Sequence, residues 1–141
     1  MGMTLLAGCA GGSSLPSAAD REGLVQALRM LPDDPDGAMA RCNALDRTRP
    51  PCVEAVVEAA PDHPRAQAWC ASLPQGVARD ECHFQRAERT RDIASCAQAG
   101  AFEDDCRIHV WNWWVMETLD PEPPLGPAID TARARMAETG I

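Results

Sequence analysis

The stretch AMARCNALDRTRPPCVEAVV, residues 38–57, sets the pattern from which the fold follows. It recurs in outline as AQAWCASLPQGVARDECHFQRA (66–87) and IASCAQAGAFEDDCRIHVW (93–111). Each segment places an alanine two residues before a cysteine: Ala40 and Cys42, Ala68 and Cys70, Ala94 and Cys96. A breaker-rich loop follows, then a second cysteine that opens an apolar stretch. The intervals are C-x9-C, C-x11-C and C-x9-C, and the first cysteines lie 28 and 26 residues apart. Such a period is shorter than the ~34 residues of a tetratricopeptide repeat but long enough for two short helices.

Physically, each unit reads as a helix ending in cysteine, a loop, and a second helix beginning with cysteine. Pro50 and Pro51 suit a first helical turn, where a missing N–H is no loss, while Pro74, Gly76 and Gly100 punctuate the other loops. Asp80, Asp104 and Asp105 stand where the second helices start, and a carboxylate there meets free N–H groups and the positive end of the helix dipole. No period-2 alternation of apolar residues occurs between residues 42 and 106, so strands are not expected. The expected fold is all-α: short helical hairpins stacked as three Cys-paired repeats and stapled by three disulfides. In architecture alone this resembles secreted Sel1-like repeat proteins, whose repeats are longer and follow a Gly/Ala consensus that this chain lacks; no function follows from that likeness.

Seven cysteines are present, and setting Cys9 aside leaves an even, regularly spaced set. Such a set reads as a disulfide framework and calls for an oxidising compartment. The expected pairing is local, Cys42–Cys52, Cys70–Cys82 and Cys96–Cys106. A cysteine one turn before a helix break lies beside one a turn after it, near the ~5.5 Å Cα separation a disulfide prefers. The alternative is the twin C-x9-C hairpin, with Cys42–Cys82 and Cys52–Cys70 paired across antiparallel helices. Closing loops of the local size stabilises by roughly 2–3 kcal/mol each on a chain-entropy account.

Cys9 needs a separate explanation, and its context supplies one. LAGC (6–9) puts leucine three residues before the cysteine and small residues between, and GGSS (11–14) follows. This resembles the bacterial lipobox. The resemblance implies a diacylglycerol on the Cys9 thiol, cleavage just before it, and residence in the bacterial envelope. Ala10 is compatible with sorting to the outer membrane, facing the periplasm. Only eight residues precede Cys9 and none is basic, so residues 1–8 read as the remnant of a signal whose start lies upstream. Residues 9–18 then form the lipidated cysteine and a flexible Gly/Ser tether, and residues 19–117 the stapled helical domain.

Before the repeats, LPSAADREGLVQALRMLP (15–32) reads as a helix. Ser17 or Asp20 caps it, Leu24, Leu28 and Leu31 line one face, and Pro32 stops it. DDPDG (33–37) is expected as a turn. Beyond the repeats, residues 118–127 form a proline-rich connector, and a C-terminal helix over 128–141 packs on the domain. Ile129, Ala132 and Met136 share its inner side, with Gly140 as its stop.

The composition removes several function classes. Against 21 acidic residues stand 13 basic ones, all arginine, for a formal charge of -8. That balance argues against a nucleic-acid partner, which would need a basic stripe to displace counterions, and against a polybasic membrane-surface helix. No apolar run approaches the ~20 residues of a membrane span. Neither a Gly-x-Ser-x-Gly elbow nor a phosphate loop occurs. Three histidines are present, His63, His83 and His109. Asp105 and His109 stand i, i+4 and could share a metal, yet no H-E-x-x-H motif accompanies them. Neither metal nor cofactor is therefore expected, and Glu88 and Asp104 read as parts of a solvated face.

HVWNWWVM (109–116) is the stretch with most binding character. Ile108, Trp111 and Val115 would share one face, with Val110 and Trp114 beside it, packing on the third repeat and under the C-terminal segment. Trp113 lies off that stripe. Candidate binding residues are accordingly Trp111, Trp113, Trp114 and His109, as an aromatic anchor for another envelope protein or a glycan. The function expected is a non-enzymatic envelope lipoprotein, a structural or protein-interaction module. The alternative is a small envelope hydrolase or a metal- or ligand-binding protein using His83 and His109. Nothing in the sequence speaks to oligomeric state.

Overall fold

A computed structural model describes residues 15–119 and 125–140. Cys9, its tether through residue 14 and residues 120–124 of the connector lie outside the described residues. Among the described residues the chain is all-helical, with no strand. The described residues form seven α-helices: α1 (Ala18–Met30), α2 (Pro35–Cys42), α3 (Arg49–Ala59), α4 (Ala66–Ala71), α5 (Val77–Thr90), α6 (Glu103–Glu117) and α7 (Leu125–Glu138). Between α5 and α6 run two 3-10 turns, Ile93–Gln98 and Gly100–Phe102. None of these helices is long and apolar enough to cross a membrane.

Disulfides join Cys42 to Cys52, Cys70 to Cys82 and Cys96 to Cys106, with Cα atoms 5.5, 5.5 and 5.6 Å apart. Each bridges the end of one helical segment to the start of the next, so the local pairing holds over the crossed alternative. The third unit departs in one respect. Its first arm is a 3-10 segment, because only a short run separates the left-handed Arg91 (φ 57°) from Gly100 (φ 55°). A Cβ on Gly100 would fall 2.5 Å from the Asp80 carboxylate, which accepts from the Ala101 N–H at 3.3 Å. Glycine is thus required there by both conformation and space.

Ser17 caps α1, its hydroxyl accepting from the Asp20 N–H at 3.0 Å. Asp20 is therefore free for another task. Its carboxylate accepts from the N–H groups of Asp46 and Thr48, each at 2.9 Å, and ties α1 to the loop before α3. The Asp46 amide above all, with Thr48 and the Arg47 amide, holds this carboxyl below the usual carboxylate range against the opposing effect of burial. Leu45 lies over Gly23, where a Cβ would meet its Cδ2 at 2.5 Å. DDPDG is not a free turn as expected. Asp34 caps α2 by accepting from the Gly37 N–H at 2.8 Å, and Pro35 to Gly37 form the first turn of that helix.

Two apolar clusters form the interior. The first gathers Ala27, Met39, Val53, Val56, Trp69 and Leu73 with two disulfides. The second gathers Ala87, Ile93, Val110, Trp114, Val115 and Ala132 around the third. Helix α5 serves both, giving Cys82 to the first and Ala87, with Phe84 beside it, to the second. Helix α7 packs on α6 through Ala128 and Ala132, flanked by Ile129 and Met136. It starts at Leu125, inside the segment expected to be connector.

Candidate binding site

Of the apolar residues of α6 expected to pack inward, Val110, Trp114 and Val115 do so, and Ile108 does not. Cys106, Val110, Trp114 and Val115 are buried, whereas Ile108 is 56% exposed. The physical reason is that the third disulfide pins Cys106 inward. The residues one and two turns on, Val110 and Trp114, follow it under α5, the 3-10 segment and α7. The three tryptophans consequently part company. Trp114 is sealed with the Arg135 guanidinium 5.9 Å from its ring, and Trp111 is half-buried near Met136. Trp113 is 41% exposed.

Around Trp113 the structure assembles residues from three places in the chain. Its indole N–H donates to Glu88 Oε1 of α5 at 3.0 Å, and His109 Nδ1 approaches the same oxygen at 3.2 Å. The Arg91 guanidinium lies 4.0 Å from the centre of the Trp113 ring. Arg91 is held in turn by Glu117 Oε1 at 2.6 Å and by the Glu88 carbonyl. It is also the one non-glycine residue with positive φ among the described residues. The left-handed conformation ends α5, with the Arg91 N–H reaching the Ala87 and Glu88 carbonyls. Trp113 is therefore exposed yet fixed on one face and at its N–H.

Two depressions adjoin it, and a third meets the same surface at His109. One of 470 Å3 is lined by Glu58, Gln85, Glu88, Arg89, Arg91 and Trp113, with Arg89 and Glu58 paired across it. A hollow of 210 Å3 lies among His109, Asn112, Trp113 and Met116. The third, of 420 Å3, runs between α5 and α6 and is lined by Glu81, Phe84, Phe102, Asp105 and His109.

Of the residues singled out in the sequence, Trp113 and His109 come together at this surface, while Trp111 and Trp114 do not join them. His83 is buried; desolvation first, then the charges of Arg79 and Arg86, push its imidazole below the usual histidine range, against Asp80. No group of three or more His, Cys, Asp or Glu side chains among the described residues could hold a metal ion. Glu88, Arg91 and Phe84 were missed. No local pattern links Glu88 to a tryptophan 25 positions later; only the packing of α5 on α6 does.

A disulfide-stapled, all-helical domain with an exposed, pre-positioned tryptophan is the class that fold and surface define. No protein-family model, curated protein or solved structure matches the chain. The three disulfides are consistent with an oxidising, extracytoplasmic compartment.

Proposed function

We propose that this chain is a non-enzymatic lipoprotein of the bacterial envelope, anchored through Cys9 at the outer membrane and facing the periplasm, that binds a protein partner with its α5–α6 face. The observation that carries the reading is Trp113, exposed on a stapled domain and held by Glu88 and Arg91. A rigid indole loses little freedom on docking, and tryptophan in such a setting is the commonest kind of interface anchor. Met116, 60% exposed, extends its apolar surface by one turn. Support for the anchor comes from the cysteine count: three disulfides use every cysteine but the one in LAGC.

Two measurements test this. Expressed in a Gram-negative host behind a complete signal peptide, the chain should carry lipid on Cys9 by intact mass, and Cys9→Ser should release it to the periplasm. A photo-crosslinking residue in place of Trp113 should give a discrete adduct in cells, while the same residue at exposed Arg133 should not. An unmodified Cys9 or identical adducts at both positions would defeat the corresponding half.

Hydrolysis using His109 is the second reading. Its basis is the 3.2 Å contact with Glu88, which would orient the imidazole. The described residues lining the adjoining clefts include no hydroxyl or thiol to act as nucleophile, and Trp113 shares the same carboxylate oxygen. Binding is the better-supported role.

A further inference from the structure

Three times within this molecule an arginine lies over a tryptophan and reaches a carboxylate. Arg65 sits 5.9 Å from the Trp69 ring and 3.0 Å from Asp36. Arg91 sits 4.0 Å from Trp113 and 2.6 Å from Glu117. Arg135 sits 5.9 Å from Trp114 and 3.7 Å from Glu117. The chain contains no lysine, so arginine is its only long cation. The arrangement combines attraction to the π-face with a charge-assisted hydrogen bond, and a planar guanidinium makes both at once.

The 420 Å3 cleft between α5 and α6 is lined by other aromatic rings and by carboxylates, with no arginine. Aromatic rings line it: Phe84 meets Phe102 at 6.3 Å and His109 at 5.1 Å between centroids, both near-perpendicular. Glu81 and Asp105 supply carboxylates at its exposed rim. Neither is paired with a basic side chain among the described residues, whereas Asp36, Glu58, Glu103 and Glu117 each are. Asp105 also lies in the first turn of α6, where the helix dipole favours it. That accounts for one carboxylate and leaves Glu81. Burial, and then the neighbouring Glu81 charge, push the half-buried Glu54 carboxyl above its usual range, so an added cation at Glu81 would ease that repulsion. The described residues hold no cluster fit for a metal ion, and an inorganic cation would have no use for aromatic walls.

We infer that this cleft receives an arginine side chain of the protein partner, its guanidinium lying against Phe84 and His109 between the carboxylates of Glu81 and Asp105. The inference rests on the reading of the α5–α6 face as a protein-docking surface, and it specifies that partner: a segment with an exposed arginine beside an apolar residue. The arginine enters the cleft, and its neighbour lies on Trp113 and Met116. His109 lines both the cleft and the Trp113 hollow, which makes the two subsites neighbours.

The test uses the oxidised chain and a probe that needs no partner, N-acetyl-arginine N-methylamide, followed by backbone amide shifts. Saturable shifts are expected at residues 81–84 and 102–109. The citrulline analogue, which keeps the shape and loses the charge, should leave them unmoved. Glu81→Gln with Asp105→Asn should weaken probe binding by roughly tenfold or more while leaving the melting temperature within a few degrees, as for exposed groups. Equal binding of the citrulline analogue overturns the site, as do linear shifts spread over unrelated acids such as Asp33 and Asp62. Failure of the probe with the position-113 adduct intact overturns the arginine site alone. Probe binding with no adduct at position 113 overturns the partner reading and, with it, the assignment of the arginine to a protein.

Discussion

Trp69 and Trp113 keep nearly the same company and meet opposite fates. His63 stacks on Trp69 at 4.4 Å and Arg65 lies over it, both reaching Asp36. Trp113 has Arg91 over its ring and shares Glu88 with His109. Yet Trp69 is 3% exposed with no acceptor for its indole N–H, whereas Trp113 is 41% exposed with its N–H satisfied. Residue chemistry does not separate the two; their position among the helices does. Trp69 sits on a six-residue helix enclosed by α3 and α5, while Trp113 projects from the side of α6 that α7 leaves open. A buried orphan N–H costs about 1–3 kcal/mol and persists because ring burial contributes more. The first half of the molecule buries its tryptophan in the core, and the second leaves one exposed.

The largest test of this contrast is the paired truncation. Trp69→Ala should destabilise by about 3–5 kcal/mol and Trp113→Ala by under about 1 kcal/mol in denaturant unfolding. Equal losses would break the comparison. Trp69→Phe sharpens it, since removing the orphan N–H offsets part of the lost area and keeps the change within about 1.5 kcal/mol. Next in size, Cys42→Ala with Cys52→Ala should remove about 3 kcal/mol by releasing a short loop in the unfolded chain. Deleting residues 125–141 should remove about 2 kcal/mol of apolar burial and shift tryptophan emission to the red as Trp114 is uncovered. Unchanged emission would mean that α7 does not cover it. Smaller still is Arg91→Gly: relief of the left-handed strain and loss of the stacked guanidinium should cancel to within about 1 kcal/mol. Faster motion of Trp113, read by fluorescence anisotropy, should be its main consequence.

Dependence on pH follows the same division. Asp20 is depressed in the folded chain, so its contribution is complete above its ordinary value of 3.8 and is lost as pH falls through the lower folded value. Asp20→Asn should therefore flatten the acid limb of the melting profile. His83 is also depressed: its contribution is complete above 6.5 and declines as pH falls toward the folded value. Glu54 runs the other way. Its carboxyl is raised, so its contribution is full below 4.5 and is lost as pH rises through the folded value. Glu54→Gln should accordingly raise the melting temperature at neutral pH, and a fall there would remove the argument for Glu54–Glu81 repulsion.

Much of the fold was legible because its determinants are local. Each disulfide spans 10 or 12 positions, and two helix starts carry their own signals in Ser17, Pro50 and Pro51. Where two residues competed for one local task, reading along the chain was not enough. Ser17 and Asp20 both suit a cap, and only the approach of the 46–48 loop claims Asp20 for a tie between helices. The same holds for α6, apolar on nearly every side. Its periodicity put Ile108 among the packed residues, but the disulfide at Cys106 centres the buried side on Val110 and Trp114 and leaves Ile108 exposed.

By itself, then, the sequence determined an all-helical chain, its disulfide-linked units and the outlier status of Cys9, because helix propensity, punctuation and short loop closure act between neighbours. Only the tertiary structure decided which tryptophan faces solvent and brought Glu88 and Arg91 to hold it. It also set Phe84 against His109 in a cleft shared with the carboxylates of Glu81 and Asp105. Those relations join residues on different helices, and their energy exists only once α5, α6 and α7 have packed.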